Sequence, residues 1–481
     1  MKRLVKYVSL ILVLLCLGAN NFLLAQENQK KEEKKFTSLW EGKLKFGAVS
    51  LRIVIKTFKN DDGSNGAFMD SPDQSVKDIP MENVLFNEDS LKFESKTIGA
   101  KYIGAVVKDS MIIHGNFTQR GMTLPLELKK IDKLVEVKRP QNPQRPYPYN
   151  DEDVTFENKS ANITLAGTFT YPKGDGKFPA VVLVTGSGPQ DRDESLMNHK
   201  PFLVISDYLT RNGIAVLRYD DRGIGKSKGN FAAATSEDFA TDVLAAVEYL
   251  KTRKEVNPKK IGIAGHSEGG LIAPICAVNS KDVSFIVMLA GPGVPGKDIL
   301  ILQTELIMKA EGSKEEDIKK SVAENKSYYN MISEETDSTV MYKKLLAMYD
   351  EDVSKLTDVE KKKPEYSKES FERAAKTLLS PWFRFFIKYD PRPTIEQVTV
   401  PVLALNGGKD LQVPPFQNLP EIEKVLKAGG NKNFKTIELP GLNHLFQPAK
   451  TGGVSEYGNI ETTFSEDALK IMKNWILEIT K

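Results

Sequence analysis

The stretch Lys260-Ile261-Gly262-Ile263-Ala264-Gly265-His266-Ser267-Glu268-Gly269-Gly270 reads as a buried strand, one tight turn and the start of a helix, with a serine at the tip. A serine forced into so sharp a strand-to-helix turn carries backbone strain of about 1–3 kcal/mol. The turn is tolerable only where the residues two before and two after lack bulk. Gly265 and Gly269 meet that requirement. Ser267 is then held over a helix N-terminus, whose dipole favours a developing negative charge. This is the pattern of a nucleophile elbow. A bare Gly-x-Ser-x-Gly also arises in ordinary turns, so the flanks matter. Here an apolar, β-prone run precedes the turn, and Leu271, Ile272, Ile275 and Cys276 follow at helical spacing. Pro274 falls inside that helix and should kink it, although Gly270, four residues back, leaves room for its ring.

Outward from the elbow, strands and helices alternate, the signature of a parallel sheet with crossovers. Strands are expected at Val154 to Glu157, Ile163 to Thr170, Ala180 to Thr185, Ile214 to Tyr219, Ile261 to Ala264, Ser284 to Leu289, Val402 to Leu405 and Phe434 to Leu439. Helices are expected at His199 to Arg211, Ser236 to Arg253, Glu268 to Asn279, Pro420 to Lys427 and Ser465 to Ile479. Ser236, followed by Glu237 and Asp238, reads as a capping serine. The fold class is therefore α/β: a mostly parallel sheet of eight strands, interrupted after the sixth by a Lys- and Glu-rich helical insertion at 299–394, read as a cap. The catalytic unit spans 153–298 and 395–481. The insertion ends in Ser380-Pro381-Trp382-Phe383-Arg384-Phe385-Phe386, whose aromatics either line an acyl pocket or pin the cap to the core.

Before this unit, residues 36–132 alternate apolar and polar residues in short runs separated by turn signals. Five to seven strands are expected, forming a small antiparallel, barrel-like β domain that binds a ligand, covers the catalytic mouth, or only packs. A proline-dense stretch around Arg139 to Pro148 makes 133–152 a semi-rigid linker.

A chain of 481 residues has room for two or three such units. Residues 1–25 open with Lys2, Arg3 and Lys6, followed by the apolar run Val8 to Leu17, and read as a cleaved signal peptide. An uncleaved anchor and a lipoprotein through Cys16 are the alternatives, the latter disfavoured by Leu15. With cleavage the formal charge of +3 falls to zero, because those three basic residues lie in the leader. No basic field is left for nucleic acid, and no membrane span is expected in the mature chain. The product would be periplasmic or extracellular. The remaining cysteine, Cys276, has no partner for a disulfide.

Acyl transfer through a serine needs a base, a group that orients it, and donors for the oxyanion. The chain holds four histidines. His114 lies in the β domain. His266 precedes the nucleophile and should point away along the strand end, and His199 opens a crossover helix, where a place at the cleft rim is open to it. His444, in the loop after the last strand, is left as the base. Asp410, in the loop after the preceding strand, is the acid, and the order Ser267, Asp410, His444 suits this topology. The oxyanion donors are the backbone N–H groups of Glu268 and of Ser187, with Gly188 as the alternative to Ser187. Pro189 has no N–H to give. The run Tyr219 to Ser227 reads as an arginine-glycine turn beneath the elbow rather than a nucleotide loop. No cluster has metal-ligand spacing, and no cofactor is expected.

With these residues in place the chain resembles the α/β-hydrolase superfamily, in particular its exported carboxylesterases and serine-aminopeptidase-like members, over about residues 153 to 481. Gly265-His266-Ser267-Glu268-Gly269, Asp410-Leu411-Gln412-Val413-Pro414 and Gly441-Leu442-Asn443-His444 match its nucleophile, acid and base segments. Gly186-Ser187-Gly188-Pro189 and Asp220-Asp221-Arg222-Gly223-Ile224-Gly225 look like its oxyanion loop and post-strand turn. The oxyanion loop starts Thr185-Gly186, where histidine-glycine is commoner. The resemblance implies a serine carboxylesterase acting on a small-molecule or glycan-linked ester. A serine peptidase is the alternative, and a ligand- or glycan-binding protein on a hydrolase scaffold is a third reading. Oligomeric state is left open.

Overall fold

The computed structural model describes residues 35–46, 49–72, 76–107, 111–119, 122–134, 138–361 and 366–481. The expected signal peptide, with Cys16, lies outside them. The chain divides into two compact units. One comprises Met1–Lys138, Leu196–Asn198 and Tyr342–Lys376; the other comprises Arg139–Ser195, His199–Met341 and Thr377–Lys481.

In the first unit, β1 (Phe36–Phe46), β2 (Val49–Lys59), β3 (Asn65–Ser71), β4 (Val76–Phe86), β5 (Ser90–Ser95), β6 (Ala100–Val107), β7 (Ile112–Gln119) and β8 (Met122–Ile131) form a closed barrel. Each strand pairs antiparallel with the next, and β1 closes onto β8 with Gly42 opposite Leu128. Closure is tight there, since a Cβ on Gly42 would stand 2.2 Å from the Glu127 carbonyl oxygen. Eight strands, rather than five to seven, result because β4 hides its strand character: Asp78, Pro80 and Asn83 read as breakers. The chain absorbs them as irregularities, with register shifts beside Met69 and Glu82 and positive φ at Asp78 and Asn83. Strict alternation of buried and exposed residues in β5 and β6 points one face inward. The interior is filled by Ile55, Leu91, Phe93, Tyr102, Ile113, Leu126 and Leu128. The Tyr102 hydroxyl is satisfied inside by the Leu126 carbonyl at 3.1 Å. At this strand number packed side chains occupy the lumen.

The second unit is built on β9 (Asn150–Asn158), β10 (Ile163–Tyr171), β11 (Phe178–Val184), β12 (Ala215–Tyr219), β13 (Val256–His266), β14 (Phe285–Leu289), β15 (Val402–Gly407) and β16 (Phe434–Leu439). Their order across the sheet is β16-β15-β14-β13-β11-β12-β10-β9. Only the pairs β9–β10 and β10–β12 are antiparallel. The helices Ser236–Lys251, Glu268–Asn279 and Pro415–Ala428 bury one face of the sheet. Pro201–Arg211 and Glu466–Ile479 bury the other. The central strands are apolar, Asn406 at the end of β15 apart, because both faces are covered. Their carboxyl ends meet along one edge, where such sheets carry their sites.

One expectation changes in detail. The helix starting at Ser236 is capped by Thr235, whose N–H donates to the Asp238 carboxylate at 2.9 Å, and Ser236 is left free for another contact. The proline-dense stretch, expected to be semi-rigid, is held by hydrogen bonds: Arg139 donates to the carbonyls of Ile460 and Gly458, and the Gln141 amide exchanges hydrogen bonds with Thr463 and Phe464. The segment 299–394 is largely helical and is shared between the two units.

Candidate active site

Ser267 sits between β13 and the helix Glu268–Asn279 with φ 52° and ψ −115°. A non-glycine residue holds this region only where the surroundings enforce it. Here they do. The Ser267 N–H donates to the Leu289 carbonyl at 2.8 Å. A Cβ on Gly265 would stand 2.0 Å from the Gly269 carbonyl oxygen, and one on Gly269 would stand 2.2 Å from that of Val184. Both glycines are therefore required by contact, since any side chain would meet backbone. Pro274 is accommodated inside the helix.

Asp410 and His444 lie in the loops after β15 and β16, as their chain positions suggest. His444 Nδ1 is 2.8 Å from Asp410 Oδ2. Asp410 Oδ1 accepts the N–H groups of Gln412 and Val413 at 2.8 and 2.9 Å. Both side chains are almost wholly buried, which strengthens the pairing by excluding water. Asp410 therefore accepts from the imidazole while its second oxygen is fixed by backbone. The His444 and Ser267 loops are neighbours: the rings of His266 and His444 lie 4.8 Å apart.

The loop after β11 folds over the elbow, and a Cβ on Gly186 would stand 3.2 Å from Ser267 Cβ. Its Gly186 N–H is already committed to Glu194 Oε1 at 2.8 Å. The Ser187 side chain lies beside the Glu268 carboxylate and favours its ionised form, and Gly188 has φ 93°.

The turn Tyr219 to Ser227 is a charged clamp. Arg222 forks onto Asp242, Nε to Oδ2 at 2.7 Å and Nη2 to Oδ1 at 3.0 Å. Asp221 accepts from the Thr185 hydroxyl and the Gln190 N–H, both at 2.8 Å. Burial drives the Asp221 carboxyl well above the ordinary range. Asp220 holds Arg192 through Nε at 3.0 Å and Nη2 at 2.8 Å. The turn and the loop after β11 are thus one hydrogen-bonded body. The charged run Asp191-Arg192-Asp193-Glu194, following a glycine-rich loop, was the available sign of this clamp.

The other histidines separate clearly. His114 is exposed on the barrel, 3.3 Å from Glu127. His199 is not at a rim; it is fully buried, with Nδ1 2.9 Å from the Thr463 hydroxyl and Nε2 3.0 Å from the Tyr457 carbonyl. Burial, with Arg139 nearby, lowers its pKa to about 4. His266 does not point idly along the strand: it is buried against Glu194 and the His444 carbonyl.

Glu268, next to the serine, carries a buried carboxylate that accepts from the Ser236 hydroxyl at 2.6 Å and from Trp382 Nε1 at 2.7 Å. Burial raises its pKa despite these donors. Trp382 thereby pins the helix Pro381–Lys388 to the elbow, the second of the two roles open to the aromatic run.

Residues 201–354 match the family model described as Serine aminopeptidase, S33. The chain is 28% identical to Esterase EstD of Thermotoga maritima over 292 residues, 60% of each chain. It is 35% identical to Putative hydrolase YtaP of Bacillus subtilis over 125 residues, 22% of this chain and 41% of that one. These matches span about 60% and 41% of the relatives' own lengths. Among solved structures, the Pyrococcus furiosus esterase Pf2001 aligns over 73% of this chain and all of its own, at 16% identity and a TM-score of 0.41. The strand order, with the elbow after the fifth strand, gives the second unit an α/β-hydrolase fold behind an N-terminal β domain, and the sequence similarities are to esterases and to the serine aminopeptidase family.

Proposed function

We propose that the protein is an exported serine carboxylesterase. Ser267 attacks an ester carbonyl as His444 takes its proton. The oxyanion is received by the backbone N–H of Glu268 and that of Ser187 or Gly188, and His444 returns the proton to the leaving alcohol. Water, activated by the same imidazole, then hydrolyses the acyl-enzyme. The observation that carries this reading is the buried His444–Asp410 hydrogen bond beside a strained serine at the head of a helix. Similarity to a named esterase supports the ester as substrate class. Export is supported by the leader-like residues 1–25.

The match to a serine aminopeptidase family keeps a peptidase as the second reading. Comparing kcat/KM on a short-chain aryl ester and an aminoacyl anilide separates the two, and preference for the anilide reverses their order. In either case Ser267→Ala should lower kcat by about 10⁶ with the fold intact. Retained turnover in that variant removes Ser267 from the mechanism.

A further inference from the structure

Behind the His444–Asp410 pair lies a second carboxylate–imidazole pair that the mechanism above leaves without a role. Glu194 is 5% exposed and His266 6%. His266 Nδ1 is 2.9 Å from Glu194 Oε1, and His266 Nε2 is 3.0 Å from the carbonyl oxygen of His444. The same Glu194 oxygen receives the Gly186 N–H at 2.8 Å. One buried pair therefore touches the oxyanion loop, the residue before the nucleophile and the backbone of the base.

Both partners of His266 are acceptors. A neutral imidazole has one N–H and can serve only one of them; serving both takes an imidazolium. Burial opposes that charge, but the Glu194 charge and hydrogen bond, the His444 carbonyl and Asp410 together outweigh it, and His266 is held above the ordinary histidine value. The titratable groups facing it are Glu194 from the loop after β11, Asp410 from the loop after β15 and His444 from the loop after β16. Glu194 has φ 51°, a left-handed conformation that a non-glycine residue keeps only where its contacts over-determine it. A buried ion pair is costly unless its remaining hydrogen-bonding capacity is filled. Gly186 and the His444 carbonyl help to fill it here.

We propose that Glu194 and His266 form a positioning pair, an imidazolium bonded at both nitrogens, that fixes the backbone of the His444 loop and of the oxyanion loop relative to Ser267. The inference rests on the serine-hydrolase reading and adds to it two residues that touch no reacting atom. They act through His444 and through the Gly186 to Gly188 backbone.

The test uses the full chain labelled with 15N-histidine, whose four histidines keep the spectrum simple. At pH 8 one histidine should show protons on both ring nitrogens, and that signal should vanish in His266→Gln. A His266 with one bare nitrogen at pH 8 overturns the pair. Kinetics on p-nitrophenyl acetate give the second arm. His266→Phe keeps the ring and loses both hydrogen bonds, and kcat should fall about 10²-fold with KM changed less than about threefold. His266→Gln keeps a donor for the His444 carbonyl and should recover about tenfold of that loss. It should also move the acid limb of kcat/KM upward by about one pH unit, because a positive charge that opposes protonation of the neighbouring imidazole has gone. Unchanged kcat in His266→Phe, or no recovery and no displaced limb in His266→Gln, overturns the positioning role. Failure of a fluorophosphonate to label Ser267 in the wild-type chain overturns the catalytic reading and this role with it. Labelling together with a singly protonated His266 overturns the pair alone.

Discussion

The Asp410 carboxylate is fixed at both oxygens, with His444 Nδ1 on one at 2.8 Å and the N–H groups of Gln412 and Val413 on the other. A carboxylate so held can rotate toward nothing else. The imidazole donates from Nδ1, which leaves a lone pair on Nε2, the atom to which the proposed mechanism sends the serine proton. Asp410→Asn preserves the shape but can present an N–H to His444 and impose the wrong tautomer. In the proposed mechanism kcat should fall by about 10⁴, with KM changed only a few-fold. Steady-state kinetics beside a thermal melt check this, and a variant keeping most of its turnover takes Asp410 out of the role.

Gly265 and Gly269 make a second, purely steric prediction. A methyl group on either would overlap a backbone carbonyl, at 2.0 and 2.2 Å, and backbone cannot step aside as a side chain can. Gly265→Ala and Gly269→Ala should each cost more than about 4 kcal/mol, in the range reserved for broken core geometry. Soluble yield and urea midpoint would show it. Gly63 is the control, because a Cβ there meets nothing within 4 Å; with φ 82° its alanine variant should cost only about 1 kcal/mol of backbone strain.

His199 gives a pH dependence with a definite sign. Its pKa in the folded chain is about 4, set first by burial, against about 6.5 for an exposed histidine. Between those values the unfolded chain binds a proton that the folded chain refuses. Stability attached to this residue is therefore complete above pH 6.5 and is lost as pH falls through 4, up to a limit on the order of 3 kcal/mol. His199→Gln should be less stable than wild type at pH 8, and the gap should narrow toward pH 4. A constant gap in denaturation midpoint across pH 8 to 4 would contradict the assignment.

The parts that were legible in the sequence are those written in local pattern. Strand β16 was bounded correctly at Phe434 and Leu439, and the helix at Glu268 and Asn279, because apolar runs and turn residues mark both ends. The fold was legible because Ser267, Asp410 and His444 each follow a strand. Strand β4 was not, since Pro80 and Asn83 look like breakers until bulges accommodate them. Nor were the roles of His266, Glu194, Asp221 and Ser236, each of which depends on a partner distant in sequence. His266 meets Glu194 across 72 positions and the His444 backbone across 178. No local periodicity encodes such a meeting. Only the oddity of charged residues beside a glycine-rich turn hints that buried partners await them.

The Trp382–Glu268 contact joins the helix Pro381–Lys388 to the elbow and can be measured as an energy. Trp382 stacks on Phe386 with ring centroids 5.5 Å apart and planes 12° from parallel, while its N–H reaches Glu268 Oε1 at 2.7 Å. Trp382→Phe keeps an aromatic ring for the stack and removes the donor. A buried carboxylate that loses one of its donors should cost about 1–3 kcal/mol. Burial already raises the Glu268 pKa, so the folded state favours the protonated acid, and the stability this residue contributes declines as pH rises through the raised value. The Trp382 N–H favours the ionised form. Its removal should therefore be felt more at pH 8 than at pH 5. In Glu268→Gln the charge is gone, and the same tryptophan substitution should cost less. A double-mutant cycle by urea denaturation at pH 8 should give a coupling of about 0.5–3 kcal/mol. Additivity at pH 8 would mean that the indole and the carboxylate are neighbours without a shared energy, and that Trp382 holds its helix by the stack alone.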